Sequence, residues 1–201
     1  MWISPIVRVS TGLLNTVDDS VIGNQEGLSG VSKFGGQLGK GLWVDADQIA
    51  QMYDSAIGTL YAGCYRYVKF KAAMGAGVRG QAVFWDNGVA DNLYQVTTLE
   101  TTTTLVASSV AGILLGVPTA GNYGFIQVAG IATVKYRAAI GGTLATGRPV
   151  TVCVAGGADQ GLFDIVDGAG IEPIQAGWAI ETPVNSALKK INMNNIFSLR
   201  G

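Results

Sequence analysis

YGFIQVAGIATVKYR, from Tyr123 to Arg137, reads as one long β-strand broken near Gly130, where a glycine inside an alternating run marks a bulge or sharp bend. Working outward, the same two-residue period recurs. Tyr65, Tyr67, Lys69 and Lys71 alternate with Arg66, Val68 and Phe70, and further strands are expected over 81–86, 93–99 and 105–115, separated by Gly, Asn and Asp clusters. Beyond the long strand, 149–155, 162–166, 177–182 and 187–197 read the same way. About nine short strands without intervening helical patterns predict an all-β fold, a barrel or a sandwich. The threonine run Thr101–Thr104 fits as an exposed, β-favouring connection, being too short and too poor in proline for a mucin-like segment.

The N-terminal part follows another rule. From Met1 to about Leu42, Ile3, Ile6, Val7 and Val9 alternate loosely before polar, Gly-rich pieces take over, and no core-forming period is sustained. This predicts an extended arm. Asp45 is placed to cap a short helix to Ile57, with Ile49, Met52, Tyr53 and Ala56 on one face and Gly58 ending it. The chain therefore divides into an arm over 1–58, with its helix near 46–57, and a β-barrel or sandwich body over 59–201. A chain of 201 residues has room for one domain plus an arm, not for two full domains.

Composition narrows the function. Hydrophobic residues make up 48% and charged residues only 13%, roughly half the usual share. A surface so poor in charge is weakly protected against association, which points to burial against other subunits. The 13 Lys and Arg are scattered and the formal net charge is −1, so the concentrated positive field that duplex phosphates require is missing and nucleic acid is a poor partner. Runs such as Val110–Val117 are too short to span a bilayer as a helix, and Met1–Leu14 lacks the pattern of a secretory signal, so cytoplasmic synthesis is expected, with no membrane partner.

Chemistry is constrained by omission. The chain has no histidine, which excludes Ser-His-Asp and Cys-His arrangements, His-ligated zinc and any imidazole acid or base. No phosphate-binding Gly-rich loop ending in Lys-Ser or Lys-Thr occurs, and GKGLW at Gly39–Trp43 lacks the hydroxyl. Cys64 and Cys153 have no Cys-x-x-Cys or His partner and read as small buried hydrophobes, a disulfide between them being left open. The carboxylates available for acid–base work are Asp86, Asp91, Glu100, Asp159, Asp164, Asp167, Glu172 and Glu181. Most stand beside Gly or Asn, as in WDNG at Trp85–Gly88, where Asp is an ordinary turn former. No calcium-binding Asp-x-Asp-x-Asp-Gly loop is present. The expectation is a non-enzyme without metal or cofactor.

Between Leu115 and Glu181, GVPTAGNYGFIQVAGIATVKYRAAIGGTLATGRPVTV leads through the acidic hairpin GADQGLFDIVDGAG to Ala176-Gly177-Trp178-Ala179-Ile180. This order resembles the capsid decoration, or cement, proteins of tailed bacteriophages, with their aromatic-Ile-Gln-Val-x-Gly and Ile-Gly-x-Ala strands. Gly177-Trp178-Ala179 is a partial version of the second, and the N-terminal 58 residues match hardly at all. The resemblance implies a barrel-like or tulip-like body on the outer capsid surface of the virion, at capsomer junctions. It also implies a trimer or dimer, and an arm reaching to neighbours, with the major capsid protein as partner. Backbone strand addition by such an arm makes Ile3, Ile6, Val7, Val9, Leu13 and Leu14 the expected anchors, with Phe34 and Trp43 as pocket-filling aromatics. The opposing expectation is that the arm folds back over an edge of its own body. Trp2, Trp85, Trp178 and the seven tyrosines are expected in cores. A head fibre or tail adhesin binding host glycans through exposed Trp and Tyr is the alternative function.

Overall fold

The computed structural model describes residues 41–44, 61–86, 94–98, 110–118, 120–121, 123–153, 158–165 and 174–193. All of their regular structure is strand, in ten elements: β1 (Gly41–Val44), β2 (Gly63–Phe70), β3 (Ala82–Trp85), β4 (Gln95–Thr97), β5 (Val110–Leu114), β6 (Tyr123–Lys135), β7 (Pro149–Val152), β8 (Phe163–Ile165), β9 (Ile174–Ala179) and β10 (Leu188–Met193). The all-β expectation holds. The expected helix near 46–57 and the Thr101–Thr104 connection lie outside the described residues. Two boundaries differ from the sequence reading. The strand expected to start at Gly177 starts at Ile174, and Gly41–Val44, assigned to the arm, pairs antiparallel with Gly63–Arg66 of β2.

The hydrogen-bonding order is β1-β2-β4-β3-β5-β6-β10-β9-β7-β8, with β2 also paired to β6. That extra pairing closes β2, β4, β3, β5 and the first half of β6 into a ring. The second half of β6 continues into β10, β9, β7 and β8, and a parallel bridge from Tyr136 to Phe163 returns β8 to the end of β6. Among the described residues the strands thus form two five-stranded rings sharing one long strand, with β1 added beside β2. The interruption expected near Gly130 is present. The β2–β6 register slips between Cys64 and Tyr65, leaving an extra residue on β6, and Gly130 itself adopts φ 93° where the strand passes from one ring to the other.

The rings have the same topology. In each, the first and third strands in sequence are parallel and the other pairings antiparallel: β2 with β4 in one, the end of β6 with β8 in the other. Individual registers repeat as well. Lys69 faces Tyr123 as Lys135 faces Leu188, Trp85 faces Val96 as Val152 faces Phe163, and Leu114 faces Ile126 as Ala179 faces Ile191. The register shift between Val83 and Phe84 recurs between Val150 and Thr151. Left-handed backbone falls at matching places: Gly80 and Gly147, Tyr94 and Gly161, Gly121 and Ser186. Sequence supports the match in VKFKAAMG (Val68–Gly75) against VKYRAAIG (Val134–Gly141), and in the Ala-Gly pairs Ala111-Gly112 and Ala176-Gly177. Those glycines are needed for close approach, since a Cβ on Gly112 would meet the Gln127 carbonyl oxygen at 2.7 Å and one on Gly177 would collide with that of Asn192.

The core runs through both rings. Val68, Phe70, Val83, Trp85, Val96, Ile126 and Leu114 fill the first, and Ala132, Val134, Tyr136, Val150, Val152, Phe163, Ala179 and Ile191 the second. Where the second ring has Ala132, the first has Arg66, whose guanidinium lies 5.6 Å from the centre of the Trp85 ring. Burial lowers the pKa of this arginine, and the aromatic face offers the cation a favourable quadrupole in return.

Candidate docking surface

The two rings differ most on their outer faces. In the second ring Pro149, Trp178, Asn192 and Ile131 lie side by side across β7, β9, β10 and β6, each directly paired with the next. Trp178 is 45% exposed and Ile131 38%, and Asn192 is also exposed. Two positions beyond Trp178, Ile180 extends the exposed apolar strip, and Leu188 does so four positions from Asn192. The inward row of the same strands, Ala132, Ile191 and Ala179, is buried. This is the one-face-solvated pattern of an antiparallel sheet.

The matching row of the first ring is Ala82, Ile113, Gln127 and Tyr65, related by the same pairings. All four are buried, Ile113 to 1% exposure. Tyr67 and Phe125, next along that face, lie with ring centres 5.0 Å apart, tilted at 53°, and are buried too. Their counterparts in the second ring are Thr133 and Lys190, the latter in an ion pair with Glu181 at 3.1 Å. The two rings also meet end to end: Ala82 N–H donates to Gly161 O at 2.8 Å, the Gln81 side-chain amide to Gln160 O at 2.9 Å, and Lys135 N–H to Gly80 O at 2.9 Å. The equivalent corner of the second ring is open, for a Cβ on Gly147 would meet nothing within 4 Å.

The carboxylates are all engaged among the described residues. Asp86, read as a turn former, is instead buried, accepting from Lys71 Nζ at 3.0 Å and from the Gln95 amide at 2.6 Å. Arg137, which stands where the first ring has Lys71, is held by Asp164 at 3.0 Å and Asp159 at 3.3 Å. Asp164 also accepts from the backbone of Gly141 at 2.7 Å and of Ile165 at 2.8 Å, pinning the AAIG turn to β8. Glu181 accepts from Lys190 N–H at 3.0 Å, and that bond, ahead of the ammonium itself, holds its carboxyl below the usual value. Asp91, Glu100, Asp167 and Glu172 lie outside the described residues. Among those described, no three His, Cys, Asp or Glu side chains gather as a metal site would require, and no helix is long and apolar enough to cross a membrane.

Both cysteines are free thiols. Burial pushes Cys153 up to about 11 and raises Cys64 as well, the opposite of what a reactive thiolate needs. Of the expected arm anchors, Ile3, Ile6, Val7, Val9, Leu13, Leu14 and Phe34 lie outside the described residues, while Trp43 falls in β1, paired with Cys64. Trp85 is in the core as expected, but Trp178 is on the surface. The outer strip was missed because a tryptophan in an Ala-Gly-Trp-Ala strand carries no local mark of which face it takes.

No protein-family model matches the chain, and no curated protein matches it. Among solved structures it is similar to the head fibre gp8.5 N base of bacteriophage phi29, with a TM-score of 0.42 and 12% identity over 65% of this chain and 93% of that one. A likeness of that degree carries no functional argument.

Proposed function

We propose that the chain is a structural protein of a tailed-phage virion, one that binds the outside of the head and stabilises it by bridging neighbouring capsid subunits. The reading is carried by the stretches that resemble decoration proteins, which fall on the elements that build the rings: YGFIQVAG opens the shared strand, PVTV is β7 and AGWA closes β9. The carboxylate arrangement agrees with a binding role. Each of Asp86, Asp159, Asp164 and Glu181 is committed to a lysine or arginine, so none of the described acids stands free to face another across a cleft.

Cementing requires no chemistry. A protein that binds the assembled shell and not its separated subunits stabilises the shell by linkage, as the logarithm of free concentration over Kd. Contacts to several capsomers from one oligomer raise the effective affinity by roughly 10² to 10⁴. The arm supplies the grip, with Ile3, Ile6, Val7 and Val9 as anchors.

The test is co-sedimentation of the full chain with emptied capsids free of decoration protein, beside a variant carrying Ile6→Asp and Val9→Asp. Saturable binding of the first and its loss in the second support both the cement role and the arm. Absence of binding by the full chain overturns the cement role, and a positive glycan array would then move the assignment to the head-fibre or adhesin alternative, for which exposed Trp178 beside Glu181 is the candidate sugar platform.

A further inference from the structure

We infer that each ring encloses one buried water molecule, bound at the same level of its core by the Trp85 indole N–H in the first ring and by the Tyr136 hydroxyl in the second. The inference rests on the repeat and not on the capsid reading. Phe70, Val96 and Trp85 form one row across β2, β4 and β3, each paired with the next. Tyr136, Phe163 and Val152 form the matching row from the end of β6 across β8 and β7. All six belong to the core, and each row carries a single side chain with a polar atom. Trp85 is 1% exposed and Tyr136 wholly buried, yet among the described residues neither Trp85 Nε1 nor the Tyr136 hydroxyl has a hydrogen-bond partner.

The other side chains of each row are hydrocarbon and supply no acceptor. A buried N–H or O–H without a partner forfeits the bonds it made to water in the unfolded chain, so buried polar atoms that protein leaves unsatisfied are met by ordered water. Such waters make about three hydrogen bonds, and each site has a candidate for a further one. The Arg66 guanidinium, a donor, lies 5.6 Å from the centre of the Trp85 ring. The Tyr136 phenol is raised first by burial and then by the nearby Asp164 carboxylate, an acceptor. Both rows also cross the parallel pairing of their ring, β2 with β4 and the bridge from Tyr136 to Phe163. The waters therefore help to hold the first strand of each ring to the third.

The test is a crystal structure of the full chain at a resolution that shows ordered solvent, with a second crystal soaked in bromide. The expected result is one solvent peak at about 2.7 to 3.2 Å from Trp85 Nε1 and another at a similar distance from the Tyr136 hydroxyl oxygen. A core without such a peak, or a side chain turned to meet a protein partner, overturns the inference for that ring. An anomalous bromide signal beside Trp85 overturns it for the first ring by making the ligand an anion. Tyr136→Phe supplies a readout in solution. Where the hydroxyl holds a water, its removal strands that water's other partners and should lower the melting temperature by about 2 to 4 °C. It should also speed exchange of the Arg137 amide, which donates to Phe163 O at 3.0 Å across the parallel pairing. Where the hydroxyl holds nothing, Phe suits the site better, and an unchanged or raised melting temperature overturns the inference for the second ring.

Discussion

Two rings with the same strand order and the same registers have been given different surroundings, and the burial along their strands records it. From Ile131 to Tyr136 in the second ring, exposure alternates with burial residue by residue. From Tyr65 to Phe70, the matching stretch of the first, every residue is buried except half-buried Lys69. Apart from Arg66 in place of Ala132, the inner faces are alike in kind, each filled by apolar or aromatic side chains, so most of the difference lies on the outside. It shows that a topology sets which residues face outward but not whether outward means solvent. Phe125, packed against Tyr67 on the covered face, and its counterpart Lys190, ion-paired with Glu181 on the open face, are each chemically matched to their environment.

The sharpest way to break this comparison is to truncate counterpart side chains. Ile113 and Trp178 hold the same register position, opposite Gln127 and Asn192 respectively. Ile113→Ala should cost about 2 to 5 kcal/mol in urea unfolding, because it removes methylenes from a closed environment and leaves a cavity. Trp178→Ala, although it deletes a far larger side chain, should cost about 0.5 kcal/mol or less in the monomer. Equal losses would mean that the two outer faces are equally covered in solution.

Titration in alkali gives a second reading of the covered face. Tyr65 is wholly buried there, its hydroxyl donating to Tyr61 O at 2.5 Å, and burial pushes its pKa from 10.0 to about 12. Since the folded value lies above the unfolded one, the protonated phenol's contribution is fully present below pH 10 and is lost as pH rises through the interval to about 12, up to about 3 kcal/mol. Tyr136, buried inside the second ring, is shifted upward by the same cause. Stability should therefore be nearly flat from about pH 5.5 to 8, where a chain without histidine has little to titrate, and fall steeply in alkali. The fall should be smaller in Tyr65→Phe. A phenol absorbance titration that finds every tyrosine ionising near 10 would show the first face open to water.

How much of this could be read beforehand follows the same division. The long strand Tyr123–Lys135 and its break near Gly130 were legible, because a glycine in an alternating run has few other meanings. The positions of most strands were legible from turn residues between apolar runs. The repeat was not, for a physical reason: β6 ends one ring and begins the next, so there is no linker and no clean period to mark the boundary. What survives in sequence is the eight-residue match VKFKAAMG and VKYRAAIG and the glycines forced by close backbone approach. The rest of the likeness lies in register, which tolerates Arg66 against Ala132 or Trp85 against Val152 as long as each ring stays filled. Nor could the burial of Asp86 be foreseen. Its partners, Lys71 and Gln95, arrive from strands that pair only through the parallel β2–β4 contact. The role of Trp178 was inverted because the outward face of its strand is defined by closure of the second ring, which only the bridge from Tyr136 to Phe163 completes.

The smallest expected effect concerns the ion pair that Lys190, the counterpart of Phe125, makes with Glu181. Glu181 is held below its ordinary value first by the Lys190 backbone N–H and then by the ammonium. For a carboxyl depressed in the folded state, the contribution is present above the unfolded value and disappears as pH falls through the lowered folded one, so it is complete at neutral pH and is lost only below about pH 5. Both partners are more than a third exposed, so water and salt screen the attraction. Glu181→Gln should shift the melting temperature by no more than about 2 °C at neutral pH, the shift shrinking further in high salt. Tyr67→Ala, at the aromatic contact of the covered face, should lower it several times as much, since it removes buried area and a tilted aromatic contact with Phe125 rather than a screened charge. If the two substitutions proved comparable in differential scanning calorimetry, the pair on the open face would have to be shielded in solution.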